Sequence, residues 1–149
     1  MTEISMARRT RVTVMEDNPG DIELLRMAIA GAHFDCEMTV VGDGGEAMAR
    51  VQDWRSGRVE PPDLLVLDLN LPKSEGLEIL AAIRAERRLQ GLPVAVLSSS
   101  SSQRDKQALE HLGIAAYLTK PADLDEYLDI GGVLKQLALG DARKQATTP

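Results

Sequence analysis

Apolar residues recur along this chain in two alternating rhythms, short runs of strand length and longer stretches at helical spacing. Leu64-Leu65-Val66-Leu67 is an unbroken apolar run, the mark of a strand covered on both faces and so set in the middle of a parallel sheet. Val94-Ala95-Val96-Leu97 is a second such run. Val12 to Met15, Glu37 to Val41 and Ala115 to Thr119 add three more strands, the first of them rich in β-branched residues.

Helical spacing follows each strand. Asn18-Pro19 reads as an N-cap with proline in the first turn, opening a helix with Ile22, Leu24, Leu25, Ala28 and Ile29 that stops near Gly31. Asp43-Gly44-Gly45-Glu46 has the spacing of a capping box and predicts a helix presenting Ala47, Met48, Val51 and Trp54. A third helix is expected from about Glu75 to Arg88, with Leu77, Leu80, Ala81 and Ile83 facing inward and Gly91 beyond its end. A fourth runs from about Gln103 to Leu112 and closes on Gly113. The last opens at Asp123, with Glu126 three residues on, and shows Leu124, Leu128, Leu134 and Leu137. Gly131-Gly132 in its middle is expected to weaken or bend it.

Five strand-then-helix units with short connections predict an α/β fold: a doubly wound, five-stranded parallel sheet with helices on both faces. No internal repeat or second domain is evident. The expected organisation is one domain over residues 11–140, between an N-terminal tail (1–10) and a polar C-terminal tail (141–149). Arg8, Arg9 and Arg11 form a short basic cluster read as solvated. Arg55 to Pro62 is the longest polar connection, stiffened by Pro61-Pro62.

Composition narrows the function classes. With 149 residues, 44% of them hydrophobic and 27% charged, the chain has the make-up of a globular protein. Aromatics are only 3%, so the core must be aliphatic. A net charge of −6 argues against nucleic-acid binding, which needs a basic face to neutralise phosphates. No apolar run approaches the ~20 residues that span a bilayer, and Met1 to Arg9 lacks the apolar region of a secretory signal. The single cysteine, Cys36, excludes an internal disulfide and suits the cytoplasm. Cys36, His33 and His111 offer no metal-ligand spacing and read as structural or surface residues.

The candidate chemistry stands at the strand ends. The first strand finishes in Glu16-Asp17, the third in Asp68, the fourth in Ser98 and the fifth in Lys120, and a parallel sheet brings all these ends to one edge. Three carboxylates gathered there repel unless a cation lies among them, and Mg²⁺, a hard ion suited to carboxylates, a carbonyl, water and a phosphoryl oxygen, is the natural candidate. A lysine and a hydroxyl at the same edge bind further phosphoryl oxygens. Acid cluster, cation, lysine and hydroxyl describe a site for phosphoryl transfer onto a carboxylate.

The ordered set also resembles a known family. Glu16-Asp17 after the first strand, Asp68 followed by Asn70, Pro72 and Gly76, Ser98 after the fourth strand, and Tyr117 with Lys120-Pro121 resemble the response-regulator receiver domain of two-component signalling, over about Arg11 to Leu139. The strings Glu16-Asp17-Asn18-Pro19-Gly20-Asp21 and Asp68-Leu69-Asn70-Leu71-Pro72 most resemble the single-domain regulators that partner bacterial phytochrome kinases.

The resemblance implies that Asp68 takes a phosphoryl group from the phosphohistidine of a sensor histidine kinase. It implies Mg²⁺ on Asp17, Asp68 and the carbonyl of Asn70, with Glu16 acting through water. Lys120 would pair with the phosphoryl group and, before it arrives, with Asp68, across a cis Lys120–Pro121 bond. Ser98 and Tyr117 would form the switch, read out on the face of the fourth helix, fifth strand and fifth helix, which is also the expected homodimer surface. Ser98 is serine where threonine is commoner, and the run Ser98 to Ser102 makes the fourth loop long in hydroxyls. The activity implied is self-catalysed phosphoryl transfer with slow autodephosphorylation, not turnover of another substrate.

Rival readings fit less well. A flavodoxin-like carrier needs a hydroxyl- and glycine-rich phosphate loop where this chain has Glu16-Asp17, and only Phe34, Trp54 and Tyr127 accompany Tyr117 as aromatics. A haloacid-dehalogenase phosphatase carries its nucleophile on the first strand, with a second acid two residues on. A receiver-like binding module that is not phosphorylated is the alternative left standing; it would ordinarily have lost an acid or the lysine, and this chain keeps them.

Overall fold

In the computed structural model, which describes residues 8–69, 76–99 and 103–147, strands and helices alternate along the chain. Their order is β1 (Thr10–Met15), α1 (Pro19–Gly31), β2 (Cys36–Val41), α2 (Gly44–Ser56), β3 (Leu64–Asp68), α3 (Gly76–Arg84), a 3₁₀ turn (Arg87–Leu89), β4 (Val94–Ser98), α4 (Gln103–Glu110), β5 (Ala116–Thr119) and α5 (Leu124–Thr147). The strands form one parallel sheet in the order β2-β1-β3-β4-β5. The unbroken apolar runs are the central strands β3 and β4, all ten of whose residues are buried.

Side-chain alternation along the strands divides the core in two. Leu65, Leu67, Val94 and Val96 join Val51, Trp54, Ile79, Ile83 and Leu109 on the α2–α3–α4 face. Val12, Val14, Leu64, Val66, Ala95 and Leu97 join Leu25, Ile29, Tyr127, Ile130 and Leu134 on the α1–α5 face. The helix starts read from the sequence are capped as expected. The side chains of Asn18, Asp43 and Asp123 accept from the backbone N–H groups of Asp21, Glu46 and Glu126.

Several expectations are corrected. Helix α3 ends at Arg84, and its buried residues are Gly76, Ile79, Leu80 and Ile83; Leu77 is half-buried and Ala81 exposed. The 79/80/83 phase follows the α2 contact, and at the helix end the Arg84 guanidinium donates to the carbonyls of Leu89, Gln90, Leu92, Leu112 and Gly113. In α5, Leu124 is exposed, while Tyr127, Ile130, Gly131 and Leu134 are buried at i, i+3, i+4 and i+7.

Gly131-Gly132 does not interrupt that helix. A Cβ on Gly131 would run into the carbonyl of Ala28, so the glycine is there to let α1 and α5 touch. The helix continues through residues 141–147, which read as polar tail. The basic cluster is tied down rather than free: Arg8 forks onto Asp63, and Arg9 reaches Asp35 and the Cys36 carbonyl. Cys36 is half-buried, and among the described residues no helix is long and apolar enough to cross a membrane.

Candidate functional site

β1 and β3 are neighbours, and the chain leaves β1 toward β2 on one side of the sheet before returning to β3 on the other. This is a switch point, the place where an open α/β sheet leaves a crevice at the carboxyl ends of its strands. Glu16 and Asp17 follow β1 into that crevice, and Asp68 ends β3 beside them. Glu16 keeps the even-numbered alternation of Val14, as Asp68 keeps that of Val66 and Lys120 that of Leu118. All three therefore lean toward the α1–α5 face.

Lys120 is the hub. Its Nζ lies 2.8 Å from Asp21 Oδ2, 2.9 Å from Glu16 Oε1 and 3.3 Å from Asp68 Oδ2. Its backbone N–H donates to the Ser98 carbonyl at 2.7 Å, which sets the end of β5 against the end of β4. Glu16 and Asp68 are buried at 1% and 4% exposure, whereas Asp17 is exposed at the mouth. Glu16 Oε2 accepts from the N–H groups of Asp17 and Asn18, both at 3.1 Å, locking the first acid to the start of α1. The ligand oxygens of Glu16, Asp17 and Asp68 all lie within 4.8 Å of one another.

Charge and burial compete here. Burial, helped by the neighbouring Asp68, pushes the Glu16 carboxyl up to about 7 against the pull of Lys120 and the Asn18 N–H. Burial works against the Lys120 ammonium, but Asp21, Glu16 and Asp68 outweigh it and hold the lysine well above its ordinary value. One cation cannot neutralise this many carboxylates, and the site has the charge and the oxygen donors for a second, hard cation.

The other expected residues divide between brought together and set apart. Ser98 ends β4, 1% exposed, on the same sheet edge. Tyr117 is half-buried on the α2–α3–α4 side, opposite in alternation to Lys120, with the Lys106 ammonium 5.4 Å over its ring. Asn70 and Pro72 lie outside the described residues. The Lys120–Pro121 bond, expected cis, is trans. Trans is the lower-energy form of an X–Pro bond, and Lys120 reaches its carboxylates without leaving it. Glu16, expected to reach the metal through water, also pairs with Lys120.

Sequence reasoning missed two participants. Asp21 makes the shortest contact to Lys120, and its signal was present: the Asn18 cap fixes Asp21 in the first turn of α1, beside the strand ends. Tyr127, on α5, buries its hydroxyl within the field of Asp21 and Lys120; at helical spacing it is indistinguishable from any core aromatic.

Residues 12–130 match the response regulator receiver domain family. The response regulator Rcp1 of Synechocystis is 35% identical over 116 residues, covering 77% of this chain and 79% of that protein. The phosphorylated cyanobacterial phytochrome response regulator RcpA superposes with a TM-score of 0.79 at 35% identity, covering 90% of this chain and 96% of that one. The Mn²⁺-bound form of Rcp1 superposes at 0.76 and 31% identity, over 85% and 92% of the two chains. With its acids, lysine and five-stranded parallel sheet in the arrangement just described, the chain belongs to the response regulator receiver domain family.

Proposed function

We propose that Asp68 is the phosphoacceptor of a signalling switch. The observation that carries this reading is the convergence on Asp68 of Lys120 from β5 and of Glu16 and Asp17 from β1, at the switch-point edge of the sheet. Asp68 attacks the phosphorus of a histidine kinase's phosphohistidine in line. The new O–P bond forms as the N–P bond breaks, and the departing imidazole keeps the electron pair and takes up a proton. Lys120 balances charge on the phosphoryl oxygens, and the Ser98 hydroxyl at the adjacent strand end bonds one of them.

Asp17 and Asp68 would hold Mg²⁺, together with the carbonyl of Asn70, and Glu16 would act on it through water. Their grouped carboxylate oxygens fit a hard divalent ion, and Rcp1, a relative, has a Mn²⁺-bound form. When bound, the ion neutralises charge on the phosphoryl group and on the acids around it. The likeness to phytochrome response regulators supports a phytochrome-type histidine kinase as partner. The acidic net charge supports a protein target rather than nucleic acid.

Charge added at Asp68 would turn Ser98 and Tyr117 and alter the α4–β5–α5 face, through which we propose that two copies pair. Sedimentation with and without beryllium fluoride tests the pairing: a shift to dimer supports it, and a monomer under both conditions refutes it. Phosphoryl transfer itself is tested by incubating the protein with acetyl phosphate, with and without Mg²⁺, and reading intact mass. A Mg²⁺-dependent phosphoryl adduct absent from Asp68→Asn is expected. No adduct under conditions that label another receiver would leave a binding module.

A further inference from the structure

Phosphoryl transfer to Asp68, as proposed above, makes no use of the Tyr127 hydroxyl. Tyr127 packs in the α1–α5 layer and is 2% exposed; its hydroxyl makes no well-formed hydrogen bond among the described residues, and the Asp21 carboxylate is the acceptor nearest to serving it. An orphaned buried hydroxyl is rare in folded proteins and is costly to keep. The charges around it are those of Asp21, Lys120 and Glu16, and burial followed by the Asp21 charge raises the phenol's pKa, so it stays protonated and able to donate.

Asp21 already has a partner in this state. It holds Lys120 Nζ at 2.8 Å, closer than Asp68 does at 3.3 Å. A phosphoryl group on Asp68 draws the ammonium toward its own oxygens, so Asp21 competes with it for the lysine. We propose that Tyr127 is a positioning residue that takes over Asp21 when Lys120 leaves, its hydroxyl donating to the Asp21 carboxylate and so releasing the lysine to the phosphoryl group. In the resting state Asp21 is held by Lys120 and meets Tyr127 short of full hydrogen-bond geometry, and the well-formed bond belongs to the occupied state. No covalent bond changes. This inference rests on the phosphoacceptor reading of Asp68.

The test is calorimetric binding of beryllium fluoride, with Mg²⁺ present, to the unmodified protein and to Tyr127→Phe, Asp21→Asn and the double variant, with thermal melting of each. Tyr127→Phe is expected to bind about tenfold more weakly, the scale of one hydrogen bond to a charged group. Its melting temperature should stay level or rise, since a buried unpaired hydroxyl has gone. Asp21→Asn should bind at least as tightly as the unmodified protein, because the competing charge is removed. In that background Tyr127→Phe should change affinity less than twofold.

Equal affinity of Tyr127→Phe and the unmodified protein overturns the proposal. So does the same tenfold loss with Asp21 already replaced, which would mark a packing role, or a lowered melting temperature, or weaker binding by Asp21→Asn. An unmodified protein that does not bind beryllium fluoride refutes the phosphoacceptor reading itself, and this inference with it.

Discussion

Asp63 shows how a residue far from the site secures the strand that carries it. It stands just before β3, where Oδ1 and Oδ2 accept the Arg8 guanidinium fork at 3.0 and 2.9 Å and Oδ2 also accepts the Arg11 N–H at 2.8 Å. Burial would raise its pKa, but the Arg8 and Arg11 donors prevail and hold the carboxyl below its ordinary value. A carboxylate whose folded pKa is depressed stabilises above its unfolded pKa and loses that contribution as pH falls through the folded one. Asp63→Asn is therefore expected to cost about 1 kcal/mol at neutral pH, with the gap closing in acid as pH falls through the carboxyl's lowered folded pKa. Urea denaturation at neutral and acid pH measures it, and a gap that did not change with pH would refute the ion pair's role. Arg8 and Arg11 read in the sequence as part of a solvated cluster, because nothing local marks an acid some fifty residues on as their partner. Glu16, Asp68, Ser98 and Lys120 were legible for the opposite reason: each ends a strand, and parallel topology alone collects strand ends.

At the scale of elements, the α1–α5 contact depends on one missing side chain. Gly131 lies against the Ala28 carbonyl, and the Lys135 ammonium bonds the carbonyls of Ala32 and His33 a turn further along. Gly131→Ala should therefore destabilise the fold by about 2 kcal/mol, by forcing the helices apart. Gly132→Ala, with open space around it, should stabilise by roughly 0.5–1 kcal/mol through helix propensity alone. Thermal melts of the pair decide it, and equal effects would contradict the packing described. Adjacent glycines look alike in a sequence and read as a weak point; only the neighbouring helix separates their roles. Helix phase was similarly half legible. Leu80 and Ile83 were placed inward, but Ile79 replaces Ala81 because the direction of approach of α2 is a tertiary fact. In the sequence Gly76 stands only as part of a motif. A Cβ there would press on the Leu69 backbone, and its N–H closes on the Leu69 carbonyl at 3.0 Å, which anchors the return of the chain after Asp68.

At the scale of the whole molecule, one sheet does both jobs. Its two central strands bury all their residues, and its carboxyl edge holds the charges that burial makes costly. The receiver-type constellation is thus a consequence of strand order: β1 and β3 adjacent put Glu16 and Asp17 beside Asp68, and β5 on the far side of β4 sends Lys120 across. Which carboxylate of this cluster is the nucleophile decides the chemistry of the whole edge. The direct measurement is to label the protein with acetyl phosphate and Mg²⁺, reduce the acyl phosphate with borohydride, and locate the resulting homoserine by peptide sequencing in a mass spectrometer. The reduced residue is expected at position 68 and nowhere else. Reduction at Asp17 or Asp21, or a labelled protein with Asp68 intact, would contradict the assignment.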